Sequence, residues 1–110
     1  MHVNISYNEQ QLAKGRDADL DRLCHVLTNS HGLDQIDLHV DSGIVLVKGY
    51  CKDGKSADTA IGFSTIRQST AATIAAFTIG LLRKKMYGTS KKPRQEHVGQ
   101  LLVPNSWFNQ

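Results

Sequence analysis

The amino-acid sequence predicts a small α+β domain. An antiparallel hairpin over residues 35–51, extended to a meander, packs against an apolar C-terminal helix, with one amphipathic helix N-terminal to it. Three observations predict this class. Residues 35–51, QIDLHVDSGIVLVKGYC, hold two β-branched runs separated by Asp41, Ser42 and Gly43, residue types that favour a tight turn. Residues 71–87 are rich in Ala, Leu, Lys and Arg and are followed by Gly88, a helix with its stop signal. Leu20, Leu23, Cys24 and Leu27 recur at i, i+3, i+4 and i+7, one apolar stripe on a helix.

A chain of 110 residues has room for one core. Residues 1–87 are assigned to that single domain and residues 88–110 to a basic and aromatic tail. A composition of 40% hydrophobic and 21% charged residues is that of a folded soluble domain, which excludes disorder along the whole chain. The opening MHVNISYNEQQ has neither a basic leader nor an apolar run, so no export signal is predicted and a cytoplasmic location is expected. Cys24 and Cys51 lack CxxC spacing and are expected to be reduced core residues.

Taken in order, Val3, Ile5 and Tyr7 alternate with polar residues and predict a short first strand. Asp17 stands at the expected helix N-cap, and Asp19 and Asp21 place negative charge in the first turn. Asn29 to Gly32 close that helix. In the hairpin, Ile36, Leu38 and Val40 alternate with Asp37 and His39, so the first arm has one wet face. The second arm, Ile44 to Val47, is apolar at every position and is expected to be a central strand covered on both sides.

The segment 56–68 is open between strand and helix. Ile61, Phe63 and Thr65 alternate, and Gly62 disfavours a helix, which tips the balance to a strand over 59–67 and a helix capped at Ser69 or Thr70. On that last helix Ala72, Ala76 and Gly80 recur every four residues as a low ridge, while Ile74, Phe77, Leu81 and Leu82 fill the other sides. So small a domain can bury such a helix all round only with a partner chain. A homo-oligomer is therefore expected, with Ala72, Ala76, Phe77 and Gly80 at its interface. A short strand at 100–103 and docking of Trp107 and Phe108 are expected in the tail.

Charge is unevenly distributed. Arg83, Lys84, Lys85, Lys91, Lys92 and Arg94 follow one another without an acid among them, which leaves the rest of the chain net acidic within a total of +3. These six residues are the candidate nucleic-acid-binding set, with DNA or RNA as the expected partner. A membrane span is excluded by length, because Ser69 to Leu82 makes about 21 Å of helix against roughly 30 Å of hydrocarbon. The competing class is a protein-interaction or inhibitor module that uses exposed strand edges and the aromatic tail.

The hairpin resembles part of the BON domain, a bacterial αβ module associated with phospholipid binding. Val40, Gly43, Val45, Val47 and Gly49 occupy the places of V-x-x-G-x-V-x-V-x-G, after a helix carrying Leu20, Leu23 and Leu27. That family's later GV-x-x-V element is missing here, and no functional residue is carried over. The α-β-β-β-α order also resembles that of double-stranded-RNA-binding domains. Their second helix begins with a lysine cluster, whereas this one begins STAATIAA.

Catalytic fingerprints of the GxSxG, Walker, HExxH and dinucleotide types are absent. Cys24, His25, His31, His39 and Cys51 lack metal-ligand spacing, so neither a metal nor a cofactor is expected. A metal-independent ribonuclease using His25, His31 or His39 as acid and base is the enzymatic alternative to a non-enzymatic binding protein.

Overall fold

A computed structural model describes residues 1–8 and 15–88. The elements run β1 (His2–Tyr7), α1 (Asp17–Thr28), β2 (Gln35–Asp41), β3 (Ile44–Tyr50), β4 (Ser56–Gly62) and α2 (Ala71–Tyr87). One four-stranded sheet has the order β1-β2-β3-β4. The α+β class holds. The antiparallel meander β2-β3-β4 is present, but β1 joins β2 in parallel, so the sheet is mixed. A parallel pair needs a crossover, and α1 supplies it.

Both helices lie on one face of this sheet. Leu20, Leu23 and Leu27 of α1 and Ile74, Ala75, Ile79, Leu82 and Met86 of α2 form one core with Ile36, Leu38, Val40, Val45, Val47 and Ile61. Among the described residues nothing covers the other face, and this corrects the expectation for β3. Leu46 is 45% exposed at the middle of an open face that β3 shares with Lys48. A run of apolar letters does not require two covers when the helices can reach only one side.

The start of α1 differs by one position, since Arg16 and not Asp17 is the capping residue and its side chain makes no cap hydrogen bond. Instead Arg16 joins two parts of the chain. Its Nε is 2.7 Å from Asp19 Oδ2, it donates to the carbonyls of Phe63 and Ile66, and its guanidinium carbon lies 4.7 Å from the Phe63 ring centroid. Asp19 in turn accepts from the Gln68 amide at 3.0 Å. The Arg16 hydrogen bond, then that of Gln68, hold the Asp19 carboxyl below its ordinary range.

Between Gly62 and α2 the expected strand gives way to two 3-10 turns, Phe63–Thr65 and Gln68–Thr70. The strand therefore covers 56–62, and Thr65 is not part of it. α2 spans the expected residues and ends at Gly88, whose φ of 77° only glycine adopts at little cost. Its burial is one-sided. Ala71, Ile74, Ala75, Thr78, Ile79, Leu82 and Met86 are buried, whereas Ala72, Ala76 and Gly80 face outward and Phe77 is half-buried. Small residues can sit at a surface while exposing little apolar area, so the count of apolar letters overstated the burial. Cys24 and Cys51 are free thiols, both half-buried at the margin of the core and not within it.

The helices run side by side in the same direction. Asp19 meets Gln68 near their starts, and Arg83 of α2 reaches Gly32, just past the end of α1. Gly49 of β3 sets how closely α2 settles on the sheet at this end. A Cβ there would lie 2.9 Å from both Leu33 Cδ1 and Leu82 Cδ1 and 3.5 Å from Met86 Cε.

Candidate functional site

Where α2 ends, three segments converge: the loop 32–34 after α1, the turn 51–54 between β3 and β4, and the last turn of the helix. Together they line a crevice of about 400 Å³ with Gly32, Leu33, Asp34, Cys51, Lys52, Asp53, Arg83 and Tyr87. Arg83 donates to the Gly32 carbonyl, and its guanidinium carbon lies 5.3 Å from the Tyr87 ring centroid. Lys55 Nζ lies 5.4 Å from the same centroid. Both distances suit a cation drawn to the ring quadrupole.

Tyr87 is held from its other end. Its hydroxyl donates to Asp53 Oδ2 at 2.8 Å. Contacts with Cys51, then with Asp53, push the phenol well above its ordinary value. The Asp53 carboxyl is held low, first by the Lys55 amide that donates to it at 3.0 Å and then by Tyr87. Cys51 Sγ lies 3.5 Å from Met86 Sδ beneath this cluster.

Of the six basic residues expected to act together, three lie in the described part. Arg83 is fixed to Gly32, and Lys85 Nζ donates to the Asp58 carbonyl at 2.8 Å. Carbonyl partners orient a cation without cancelling its charge, and each side chain keeps further N–H donors. Lys84 lies in the same last turn. Lys91, Lys92 and Arg94, the strand expected at 100–103, and Trp107 and Phe108 lie outside the described residues.

Sequence reasoning missed Lys52, Lys55 and Tyr87. The signal was present in KDGK at 52–55, which reads as a turn and nothing more until the meander brings it against the end of α2.

The open sheet face forms a second, larger trough of about 610 Å³, lined among others by Ser6, Asp37, His39, Leu46, Lys48, Asp58, Ala60 and Lys85. The register sets Ser6, His39, Leu46 and Ala60 in one row across the strands, with Asn4, Asp37, Lys48 and Asp58 in the next. Ser6 Oγ is 2.8 Å from His39 Nδ1, and Asn4 donates to Asp37 at 2.9 Å. Hydrogen bonds from Asn4 and Gln35 hold the Asp37 carboxyl low.

The three histidines of the ribonuclease alternative are not brought together. His25 is on α1, His31 is in the loop beyond it, and His39 is mid-strand on the open face. Among the described residues no three His, Cys, Asp or Glu side chains cluster closely enough to hold a metal ion. No helix among them is long and apolar enough to cross a membrane.

No known family model matches the chain, and no curated protein is significantly similar to it.

Charge is polarised along the helices. Asp17 and Asp19 occupy the first turn of α1, while Lys84 and Lys85 occupy the last turn of α2 at the other end of the helix pair. The helix dipoles favour that arrangement by themselves. They do not account for Lys52 and Lys55, which belong to a strand turn.

Proposed function

We propose that this is a small, non-enzymatic cytoplasmic binding protein that contacts a polyanion, nucleic acid above all, through the end of the molecule where α2 terminates. The observation that carries this is the meeting of Arg83, Lys52 and Lys55 around Tyr87, on two chain segments far apart in sequence. The sequence continues from this end into Lys91, Lys92 and Arg94. Arg83, fixed by a carbonyl oxygen, keeps its charge for an incoming phosphate, and a positive end on an otherwise acidic body orients its approach; Lys85 is turned instead toward the trough on the sheet face.

The test is affinity against salt. For a duplex, log K should fall with log salt by about 0.9 per neutralised phosphate, and for a single strand by about 0.7. Replacing Lys84, Lys85, Lys91 and Lys92 together with Ala should flatten the slope by as much as about 3. Binding that ignores salt, or no binding to any polyanion, contradicts the proposal.

A second reading rests on the strand β1. Among the described residues this strand is a sheet edge, and its sequence, HVNISY, includes no Lys, Arg, Asp, Glu or Pro, the usual guards against pairing with another chain. At the opposite edge Lys85 occupies a carbonyl of β4. A protein partner captured through β1 would stay bound to the four-lysine variant at high salt.

A further inference from the structure

Within the polyanion reading, on which it rests, we infer that the crevice takes single-stranded nucleic acid, with Tyr87 as the surface on which one base stacks. A positive surface alone would serve a duplex, heparin or an acidic protein equally well. The aromatic ring distinguishes them. Tyr87 is 46% exposed, although it is a large side chain on the last turn of a helix whose neighbour Met86 is buried.

Its ring is held in place before any ligand arrives. Asp53 fixes the hydroxyl, and Arg83 and Lys55 lie over the ring, so a base stacks there by displacing Lys55, the more flexible of the two cations. Stacking platforms flanked by cations are how proteins hold single strands without reading their sequence, since every base has a π-face and every nucleotide a phosphate.

The dimensions agree. A crevice of about 400 Å³ is at the low end of small-ligand pockets and suits one nucleotide unit, not a groove-sized partner. Among the described residues this end consists of a helix terminus and two short loops. In a duplex the bases are already stacked on one another, so the ring would gain nothing.

The lining holds two acids, Asp34 and Asp53, against Lys52 and Arg83, and Asp53 keeps its charge while accepting from Tyr87 and the Lys55 amide; the Lys55 ammonium beside the ring gives the cluster its positive excess. Arg83 spends one of its five N–H groups on Gly32 and keeps others for a phosphate. Lys55 sits on a flexible stem and can pass from the ring to the backbone of the bound strand.

The experiment uses the full chain and fluorescence anisotropy. Labelled oligothymidylate and oligouridylate, a duplex of equal length and heparin are titrated into wild type, Tyr87→Leu and Tyr87→Phe at one fixed salt concentration. Wild type should bind a single strand, DNA or RNA, more tightly than the duplex. Tyr87→Leu should weaken single-strand binding about tenfold while changing heparin binding little, and Tyr87→Phe should stay within about threefold of wild type. Circular dichroism shows whether each variant is folded, and an exposed position makes that outcome the expected one.

Equal loss for the single strand and heparin would make Tyr87 a support for the cations and overturn the stacking assignment, as would a Tyr87→Leu variant that binds like wild type. Either result leaves the polyanion reading standing. Failure of wild type to bind any of the four probes would overturn both.

Discussion

Replacing Gly49 with Ala tests the packing that brings the end of α2 to the crevice. The added Cβ would sit 2.9 Å from two leucine methyl groups, closer than carbon atoms approach. Leu33 is 8% exposed and has some room to move, but Leu82 is 0% exposed and lies within the core, so relief on that side requires the helix to rise. Overfilling a packed site costs about 1–3 kcal/mol. Reduced freedom of the unfolded chain returns about 0.4–1 kcal/mol.

Taking the middle of each range leaves a net destabilisation of about 1.3 kcal/mol, a fall in Tm of roughly 5–10 °C for a domain of this size. Thermal and urea unfolding followed by circular dichroism measure it. Adding Leu82→Val makes room for the new methyl, so the double variant should be less unstable than the two single effects together. Chain entropy alone would make Gly49→Ala more stable than wild type. A Tm at or above the wild-type value therefore refutes the close approach of α2 to β3.

Two further outcomes are expected. The Asp19 carboxyl is held low in the folded chain, so below the ordinary Asp range the unfolded chain binds more protons, and stability is lost as pH falls through the depressed value. Tm should be level at mildly acidic and neutral pH and then drop. Asp19→Asn should be less stable at pH 7 and show a shallower drop, not an abolished one, because Asp37 and Asp53 are also held low. A wild-type Tm unchanged down to pH 2.5 would contradict this. The self-association expected from the sequence should give a light-scattering mass above the 12.2 kDa of one chain, restored to one chain by Gly80→Glu on the outward row of α2. A single-chain mass at high concentration removes it.

The parts of the fold that could be read from the letters are those in which local chemistry agrees with tertiary demand. The hairpin turn at Asp41 to Gly43 and the end of α2 at Gly88 follow from turn and stop preferences acting within a few residues, and α2 starts where expected although the Thr70 hydroxyl bonds back to residues 65 and 67 and does not cap it. The stripe Leu20, Leu23 and Leu27 is buried as its spacing implied. What failed depended on neighbours. Whether β3 is covered on one face or two is decided by where both helices land, and Ile44 to Val47 carry no mark of it. Whether Ala72, Ala76 and Gly80 face inward depends on which side of α2 meets the sheet, and small residues suit either side.

The candidate site was half legible for the same reason. Its basic run is contiguous and visible, but Lys52 and Lys55 join Arg83 and Tyr87 only through pairing of β3 with β4 and the seating of α2 at Gly49. Nothing local announces that meeting. Arg16 shows the same limit, since a residue expected to precede a helix cap turns out to tie α1 to the segment 63–68.

Where a nucleic acid touches the protein is the most direct question to put to this account. Amide NMR spectra of the full chain, recorded while a single-stranded oligonucleotide is added at low salt, give the answer residue by residue. Shifts gathered at Gly32 to Asp34, Cys51 to Lys55 and Arg83 to Gly88 are the predicted result. Shifts on the open sheet face around Asn4, His39 and Leu46 instead, or none at all, would contradict it.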